Sequence, residues 1–291
     1  MADTLAMESQ PISVVIPAHN EAAVIERCLE ALTQGAAPGE LEVLVVCNGC
    51  KDDTAERAAR FSPVVQVLES PVASKNAALN MGDEHATSFP RFFLDADIVL
   101  PLADLRTVAD VLRGGEIHGA APRMEVDLSD RGWAIRAFYD VWMQTPYVTD
   151  NMLGCGVYAI SENGRARFDQ FPDIIADDCF IRLLFESGER KSVDEACFIM
   201  TPPETLWQLI HINVRRQVGM DEMAELYPSS TEGERGTQRK FLMGLLSQPR
   251  RWPAIALYVF AKFATLAVYR WKQTQGRHKE WNRDDSSRRV A

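Results

Sequence analysis

Cysteine is sparse and scattered. Cys28, Cys47, Cys50, Cys155, Cys179 and Cys197 are the six in 291 residues, and their spacing is not that of a secreted disulfide framework. Cys47 and Cys50 have the spacing of half a zinc site or a redox pair. No second cysteine pair and no histidine pair at ligand spacing accompanies them, which argues against structural zinc. A thioredoxin-like pair would open a helix; these flank Asn48-Gly49 and read as reduced turn residues. Basic charge is also short: 31 Lys+Arg against 41 Asp+Glu leave a net charge of −10. That balance argues against a general nucleic-acid binder, which needs a basic footprint. The amino-terminal stretch lacks a charged start followed by an apolar run, so no signal peptide is expected and the cytoplasm is the expected location. Internal repeats and low-complexity tracts are missing too, which excludes a solenoid or a compositional linker protein.

What is present is an ordinary apolar fraction, 46%, enough for one large α/β domain with an appendage. Ile12–Ile16, Leu41–Val46, Val64–Leu68 and Phe92–Leu94 are short β-rich runs, each ended by polar or turn residues. Helical patterns fall between them, over Val24–Leu32, Asp52–Phe61 and Asn76–His85. Strands and helices alternating at short intervals predict a parallel sheet covered by helices. After Asp97 the pattern loosens. Ala103–Arg113, Trp133–Gln144, Asp177–Phe185 and Leu206–Arg216 read as helices, and Gly119–Val126 and Gly154–Ile160 as strands.

The four early strands end in ligand-capable groups. Pro17-Ala18-His19-Asn20-Glu21 follows the first, Asn48-Gly49-Cys50-Lys51-Asp52-Asp53-Thr54 the second, Lys75 to Asn80 the third, and Asp95-Ala96-Asp97 the fourth. In an open α/β sheet these carboxyl ends form the ligand crevice. Asp95-x-Asp97 offers two hard oxygen ligands suited to Mg²⁺ or Mn²⁺, and such an ion can hold a diphosphate and stabilise it as a leaving group. A lone Asp-x-Asp reads as two solvated acids; four strand ends in register point to a nucleoside-diphosphate site.

With these pieces the chain resembles the family 2 glycosyltransferases of GT-A fold. The motifs that carry the resemblance are Val14 to Glu21, Asn48-Gly49-Cys50-x-Asp52-x-Thr54, Lys75-x-x-Ala78-Leu79-Asn80-x-Gly82 and Asp95-Ala96-Asp97. It covers roughly residues 12–220. The resemblance implies transfer of a sugar from a nucleotide sugar, with inversion at the anomeric carbon. It implies a Rossmann-like mixed sheet flanked by helices over residues 1–227, with a donor half to about residue 100 and an acceptor half after it. A linker at 228–238 and a helical, basic extension at 239–291 complete the expected organisation.

Carried over by position, Pro17, Ala18 and Glu21 would line the base and ribose pocket. Asn48 stands where the family commonly has an Asp that contacts the base; an amide both donates and accepts. Lys75 would neutralise the nucleotide. Asp97 would ligate Mn²⁺ or Mg²⁺ most directly, with Asp95 helping through ribose or water. Asp177-Asp178 matches the family's acidic pair at a helix start, where neighbouring carboxylates raise one another's pKa and the helix end steadies charge. Asp178 is the expected general base; Asp177 is a cap or an acceptor contact. Gly154-Cys155-Gly156 matches a glycine-rich acceptor-side strand, and Trp142, Tyr147 and Tyr158 are sugar-stacking or core residues.

Processive relatives carry Gln-x-x-Arg-Trp near His211–Gln217. Here Ile212 replaces the Gln and Arg216 the Trp, which implies single transfers. Arg215 or Arg216 would bind the diphosphate or face solvent, and His211 would be a third metal ligand or a packing residue.

Trp252 to Trp271 is apolar on most sides, with basic residues flanking it. At about 1.5 Å per residue it barely spans a bilayer, and Lys262 near its centre makes spanning costly. An interfacial helix on an anionic membrane, or a helix packed on the domain or a partner subunit, remain as readings. The implied partners are a nucleotide-sugar donor, a sugar, lipid-linked or small-molecule acceptor, and an anionic membrane surface at the inner face of the cell membrane. The competing functions are a sugar-phosphate nucleotidyltransferase, against which the absence of an early glycine-rich basic loop argues, and a non-catalytic nucleotide-binding membrane adaptor, against which the acids argue.

Overall fold

A computed structural model describes residues 10–149, 154–228, 241, 243–245 and 247–276. Its centre is β1 (Ile12–Ala18), buried at every position, as a strand with helices over both sheet faces must be. β1 pairs in parallel with β2 (Leu41–Asn48) and β4 (Arg91–Leu94), and β2 with β3 (Val65–Ser70). The register sets Ala18 beside Cys47 and Asn48 beside Ser70, so neighbouring strands finish on one edge. Between them run α1 (Ile25–Thr33), α2 (Thr54–Ala59) and α3 (Lys75–His85). α1 buries Ile25, Cys28, Leu29 and Leu32, the spacing of one helical face. α3 starts where the Ser74 hydroxyl accepts the Ala77 N–H at 3.2 Å, a side-chain N-cap. It lies so close to β1 that a Cβ on Gly82 would collide with Val15.

The second half adds α4 (Leu102–Arg113), β5 (Gly119–Val126), α5 (Trp133–Trp142), α6 (Pro146–Thr149), β6 (Val157–Ile160), α7 (Glu162–Arg165), α8 (Asp177–Leu183), β7 (Arg190–Met200), α9 (Leu206–Leu226) and α10 (Trp252–Thr274). β6 runs antiparallel to β4 and β5, and β5 is parallel to β7. The sheet therefore has seven strands in the order β3-β2-β1-β4-β6-β5-β7. It is the mixed, helix-flanked sheet that the resemblance implies.

Several local expectations change. The strand expected over Gly154–Ile160 begins only at Val157, because the three residues before it all take positive φ. Cys47 is a buried strand residue rather than a turn residue; both it and Cys50 are free thiols. α9 continues ten residues past Arg216. β7 has no counterpart in the sequence reading. Apart from Pro228, the expected linker at 228–238 lies outside the described residues.

α10 packs on α5 and α9. Tyr258, Thr265 and Tyr269 are buried along its inner stripe. Tyr258 meets Phe138 at 5.1 Å between ring centroids, and the Tyr269 hydroxyl donates to Asp221 Oδ2 at 2.6 Å. Trp252, Phe260, Phe263, Leu266 and Trp271 stay exposed. The helix is thus a wall of the domain with an apolar outer side.

Candidate active site

One cavity of about 1170 Å³ opens along the carboxyl ends of the strands and reaches α8, α9 and α10. Pro17, Glu21 and Asn48 line it, with His19. Ala18 does not: it is fully buried, and its carbonyl accepts from the Cys50 thiol at 3.3 Å. The expectation that Ala18 faces the base and ribose is therefore corrected, since the strand alternation turns it inward.

The loops after β1 and β2 brace one another. Thr54 Oγ1 accepts the Glu21 N–H at 2.7 Å and donates to Asp52 Oδ1 at 2.5 Å. Asp52 Oδ2 accepts the Ala22 N–H at 3.2 Å. Burial opposes the charge on Asp52, but bonds from Thr54 and Ala22 hold its carboxyl below the usual carboxylate range. The Asp52-x-Thr54 motif thus positions Glu21. Gly49 has φ +64°, and a Cβ there would stand 2.9 Å from the Ala73 Cβ, so that turn requires glycine. Asn48 is 4% exposed, and its side-chain Oδ1 is buried without a hydrogen-bond partner. Such an oxygen costs about 1–3 kcal/mol until a donor meets it.

Lys75, in the first turn of α3, joins the two acidic motifs. Its Nζ lies 2.8 Å from Asp95 Oδ1 and 3.0 Å from Asp177 Oδ1. Burial opposes the ammonium charge, but Asp177 and Asp95 outweigh it and hold Lys75 above the usual lysine range. Asp177 is 4% exposed and takes the Tyr158 hydroxyl at 3.3 Å. Burial pushes its carboxyl up, against the pull of Lys75 and with help from Asp178. Ala176, not Asp177, is the N-cap of α8 and makes no side-chain cap bond, so the capping role foreseen for Asp177 is not the one it plays.

Asp178 Oδ2 accepts the Cys155 N–H at 3.2 Å and Oδ1 accepts the Cys179 N–H at 2.8 Å. The turn that supplies Cys155 is unusual: Gly154, Cys155 and Gly156 have φ of +116°, +62° and +100°. A Cβ on Gly154 would stand 2.6 Å from the Asp178 Cβ, and one on Gly156 2.8 Å from Ile98. The Gly156 carbonyl accepts the Asp95 N–H at 2.7 Å. Backbone without side chains is what fits between the acids.

The opposite wall comes from α8, α9 and α10. Arg215 and Arg216 line the cavity. Arg216 Nη2 lies 3.6 Å from the Cys155 Sγ, and its guanidinium sits 5.4 Å from the centre of the Trp142 ring. Arg182 stacks on Tyr147 at 4.9 Å, and Tyr158 on Phe93 at 5.2 Å. Gly219 lets α9 come in, since a Cβ there would be 3.0 Å from the Ala176 Cβ. Sequence reasoning missed Arg182 and Lys262, which also line the cavity. A lysine on the inner stripe of an apolar helix was the available signal.

His211 is elsewhere. It is not part of the cavity wall; its ring meets Trp207 edge-on at 4.6 Å, and burial followed by the charge of Lys272 holds its pKa down. Its ring thus packs on Trp207 away from Asp95 and Asp97 in the cavity wall, and its Nδ1 is buried without a hydrogen-bond partner. No group of three or more His, Cys, Asp or Glu side chains placed to hold a metal occurs among the described residues. Asp95 and Asp97 remain as two carboxylates in the cavity wall. That donor set fits Mg²⁺ or Mn²⁺, which use one or two carboxylates and complete their shell with substrate phosphate and water.

The family model described as Glycosyl transferase family 2 matches residues 13–164. Glycosyltransferase AglE of Haloferax volcanii is 41% identical over 91 residues, covering 30% of this chain and 30% of AglE; the match spans under a third of that relative's length. Among solved structures, mannosyltransferase PcManGT from Pyrobaculum calidifontis, in complex with GDP-Man and Mn²⁺, has TM-score 0.60 at 20% identity, covering 93% of this chain and 85% of that one. Glucosyl-3-phosphoglycerate synthase from Mycobacterium tuberculosis, in complex with Mn²⁺ and UDP, has TM-score 0.53 at 21% identity, covering 74% and 80%. At these identities the likeness establishes the fold, GT-A. The family match takes in more than half of the 291 residues, and with the four motifs on one sheet edge it makes this chain a member of glycosyl transferase family 2.

Proposed function

We propose that the chain is a metal-dependent, inverting glycosyltransferase that moves one sugar from a nucleoside-diphosphate sugar to an acceptor hydroxyl, in polysaccharide, glycolipid or glycoconjugate synthesis. The observation that carries this reading is the Lys75 bridge, which gathers Asp95 and Asp177 around one cavity. Asn48 meets the base, its buried Oδ1 accepting a ring N–H. Pro17 and Glu21 flank base and ribose. Asp97 and Asp95 would hold Mn²⁺ or Mg²⁺, which would supply positive charge to the departing diphosphate. Lys75 adds to that charge, and Arg215 lies on the facing wall.

Asp178 takes the acceptor proton as the hydroxyl oxygen attacks the anomeric carbon. The bond from that carbon to the diphosphate breaks with its electron pair on the diphosphate, and attack opposite the leaving group inverts the centre. The Cys155 N–H aims the carboxylate. Asp177, buried and bonded to Lys75 and Tyr158, is a positioning residue for the pair. Arg216 in place of the processive Trp supports single transfers. The apolar outer side of α10 supports a place on the inner face of a membrane with anionic lipids, where interfacial aromatics settle.

Thermal-shift titration with UDP, GDP, CDP and TDP, with and without Mn²⁺, tests the donor site. Stabilisation by one nucleotide that needs Mn²⁺ and vanishes in Asp97→Ala is expected. Equal stabilisation without metal would remove the metal from the proposal, and no stabilisation by any of the four would remove the donor site.

A further inference from the structure

Lys75 has two carboxylates at ion-pair distance, whereas among the described residues two other cations of the same cavity have none that close. Arg216 projects from α9 and Lys262 from α10, and both line the cavity. Among the described residues, Arg216 meets the Cys155 sulfur and the Trp142 face, and Lys262 lies 5.6 Å from the centre of the Tyr258 ring. Aromatic faces attract cations, but more weakly than a desolvated anion does. Burial, and then the charge of Arg216, pull the Lys262 ammonium down to about 8. Two like charges therefore share one region of the cavity; the Asp178 carboxylate also acts on Arg216, but among the described residues neither cation has a carboxylate at ion-pair distance, an arrangement that an anionic ligand resolves.

Which anion belongs there follows from the neighbours. The proposed donor groups sit on the edge made by β1, β2 and β4, and Lys75 already serves the acids there. Arg216 and Lys262 rest on Cys155, Trp142 and Tyr258, all from the second half of the chain. The next turn of α10 carries Phe263 and Leu266, which line the cavity and yet are 68% and 38% exposed. They form an apolar rim at its mouth.

We infer that Arg216 and Lys262 hold a phosphate group carried by the sugar acceptor, beside the apolar rim of Phe263 and Leu266. The inference rests on the glycosyltransferase reading and names its acceptor class. A phosphate of this kind comes either on an alkyl chain or on a water-soluble molecule.

The test uses the full chain and calorimetric titration with octyl phosphate, glycerol 3-phosphate and the nucleotide found by thermal shift. At least one phosphate ester binds the wild type. Lys262→Gln weakens it about tenfold, the loss of one charge-assisted contact, and Lys262→Arg retains it. Nucleotide affinity stays within about twofold, a limit well inside that tenfold effect. Tighter binding of octyl phosphate assigns the alkyl source, and parity assigns the soluble one. Equal phosphate affinity in Lys262→Gln and wild type overturns the inference, as does a parallel loss of nucleotide affinity, which would give the pair to the donor diphosphate. Phosphate binding without any nucleotide binding would instead sink the donor reading alone.

Discussion

Around Asp83, two arginines close on one carboxylate. Arg91 Nη1 lies 2.5 Å from Oδ1 and Arg165 Nε 2.5 Å from Oδ2. Arg91 also donates to the Asp83 and Ala86 carbonyls at 3.0 and 2.8 Å. Asp83 and Arg91 are each 5% exposed, and the group pins α3 to β4 and α7. The cavity holds the same residue types in a different ratio. One lysine serves Asp95 and Asp177, while Arg216 and Lys262, from α9 and α10, have no carboxylate at ion-pair distance among the described residues. In the buried group both Asp83 oxygens meet a guanidinium, although the Arg91 Nε stays buried without a partner, and the group ties three elements of the fold together. In the cavity two cations lack such a pairing, and in the proposed acceptor site an anionic ligand completes them. Burial of ions is tolerated in both places, but only in the Asp83 group does removing one partner strand charges that the chain had already matched.

The sharpest way to break this contrast is Asp178→Asn. Loss of the general base lowers transfer by about 10²–10⁴-fold, while nucleotide affinity and the unfolding midpoint stay near wild type. Equal loss of nucleotide affinity in titrations would remove the base assignment. Asp83→Ala is the mirror experiment. It leaves the buried Arg91 guanidinium and the half-buried Arg165 guanidinium without their carboxylate, which destabilises the fold by about 3–5 kcal/mol, read by urea unfolding. Retention of nucleotide binding in the folded fraction completes the contrast, and a drop below about 1 kcal/mol would mean that Asp83 is no stronger than a surface pair.

Gly154→Ala comes next. A φ of +116° and the approach to Asp178 make the change cost about 1–3 kcal/mol of stability and displace the carboxylate. A variant with full stability and full transfer would show that the turn tolerates a side chain.

The smallest effect concerns Lys262 and pH. Its ammonium titrates at about 8 in the fold and near 10.5 when unfolded. Between those values the unfolded chain holds more protons, so this group makes ligand-free stability rise with pH across the window. Lys262→Met flattens that rise. Denaturation midpoints at several pH values from 7 to about 10.5 read the slope; an identical profile in the variant would mean that Lys262 is not desolvated.

The donor edge was legible because its signals are local. β-rich runs end in polar turn residues, and parallel register brings those ends together whenever the strands are neighbours. Even there Ala18 was misread, since strand alternation is decided by which face the helices cover. β7 escaped because Arg190–Met200 has few buried positions, and a register shift between Pro122 and Arg123 interrupts its pairing with β5. α9 looked shorter than it is because Gly219 lies in its second half, where close packing on Ala176 rather than helix propensity requires glycine.

By itself the sequence determined the strand–helix alternation, the acids at Asp95, Asp97, Asp177 and Asp178, and Lys75, because these depend on residues near one another in the chain. Only the tertiary structure decided that Lys75 spans both acid pairs, that His211 packs on Trp207, and that Lys262 turns into the cavity rather than toward solvent. Each of these joins residues far apart in the chain, and charge partners at such separations are chosen by how helices pack on the sheet, a choice no local pattern encodes.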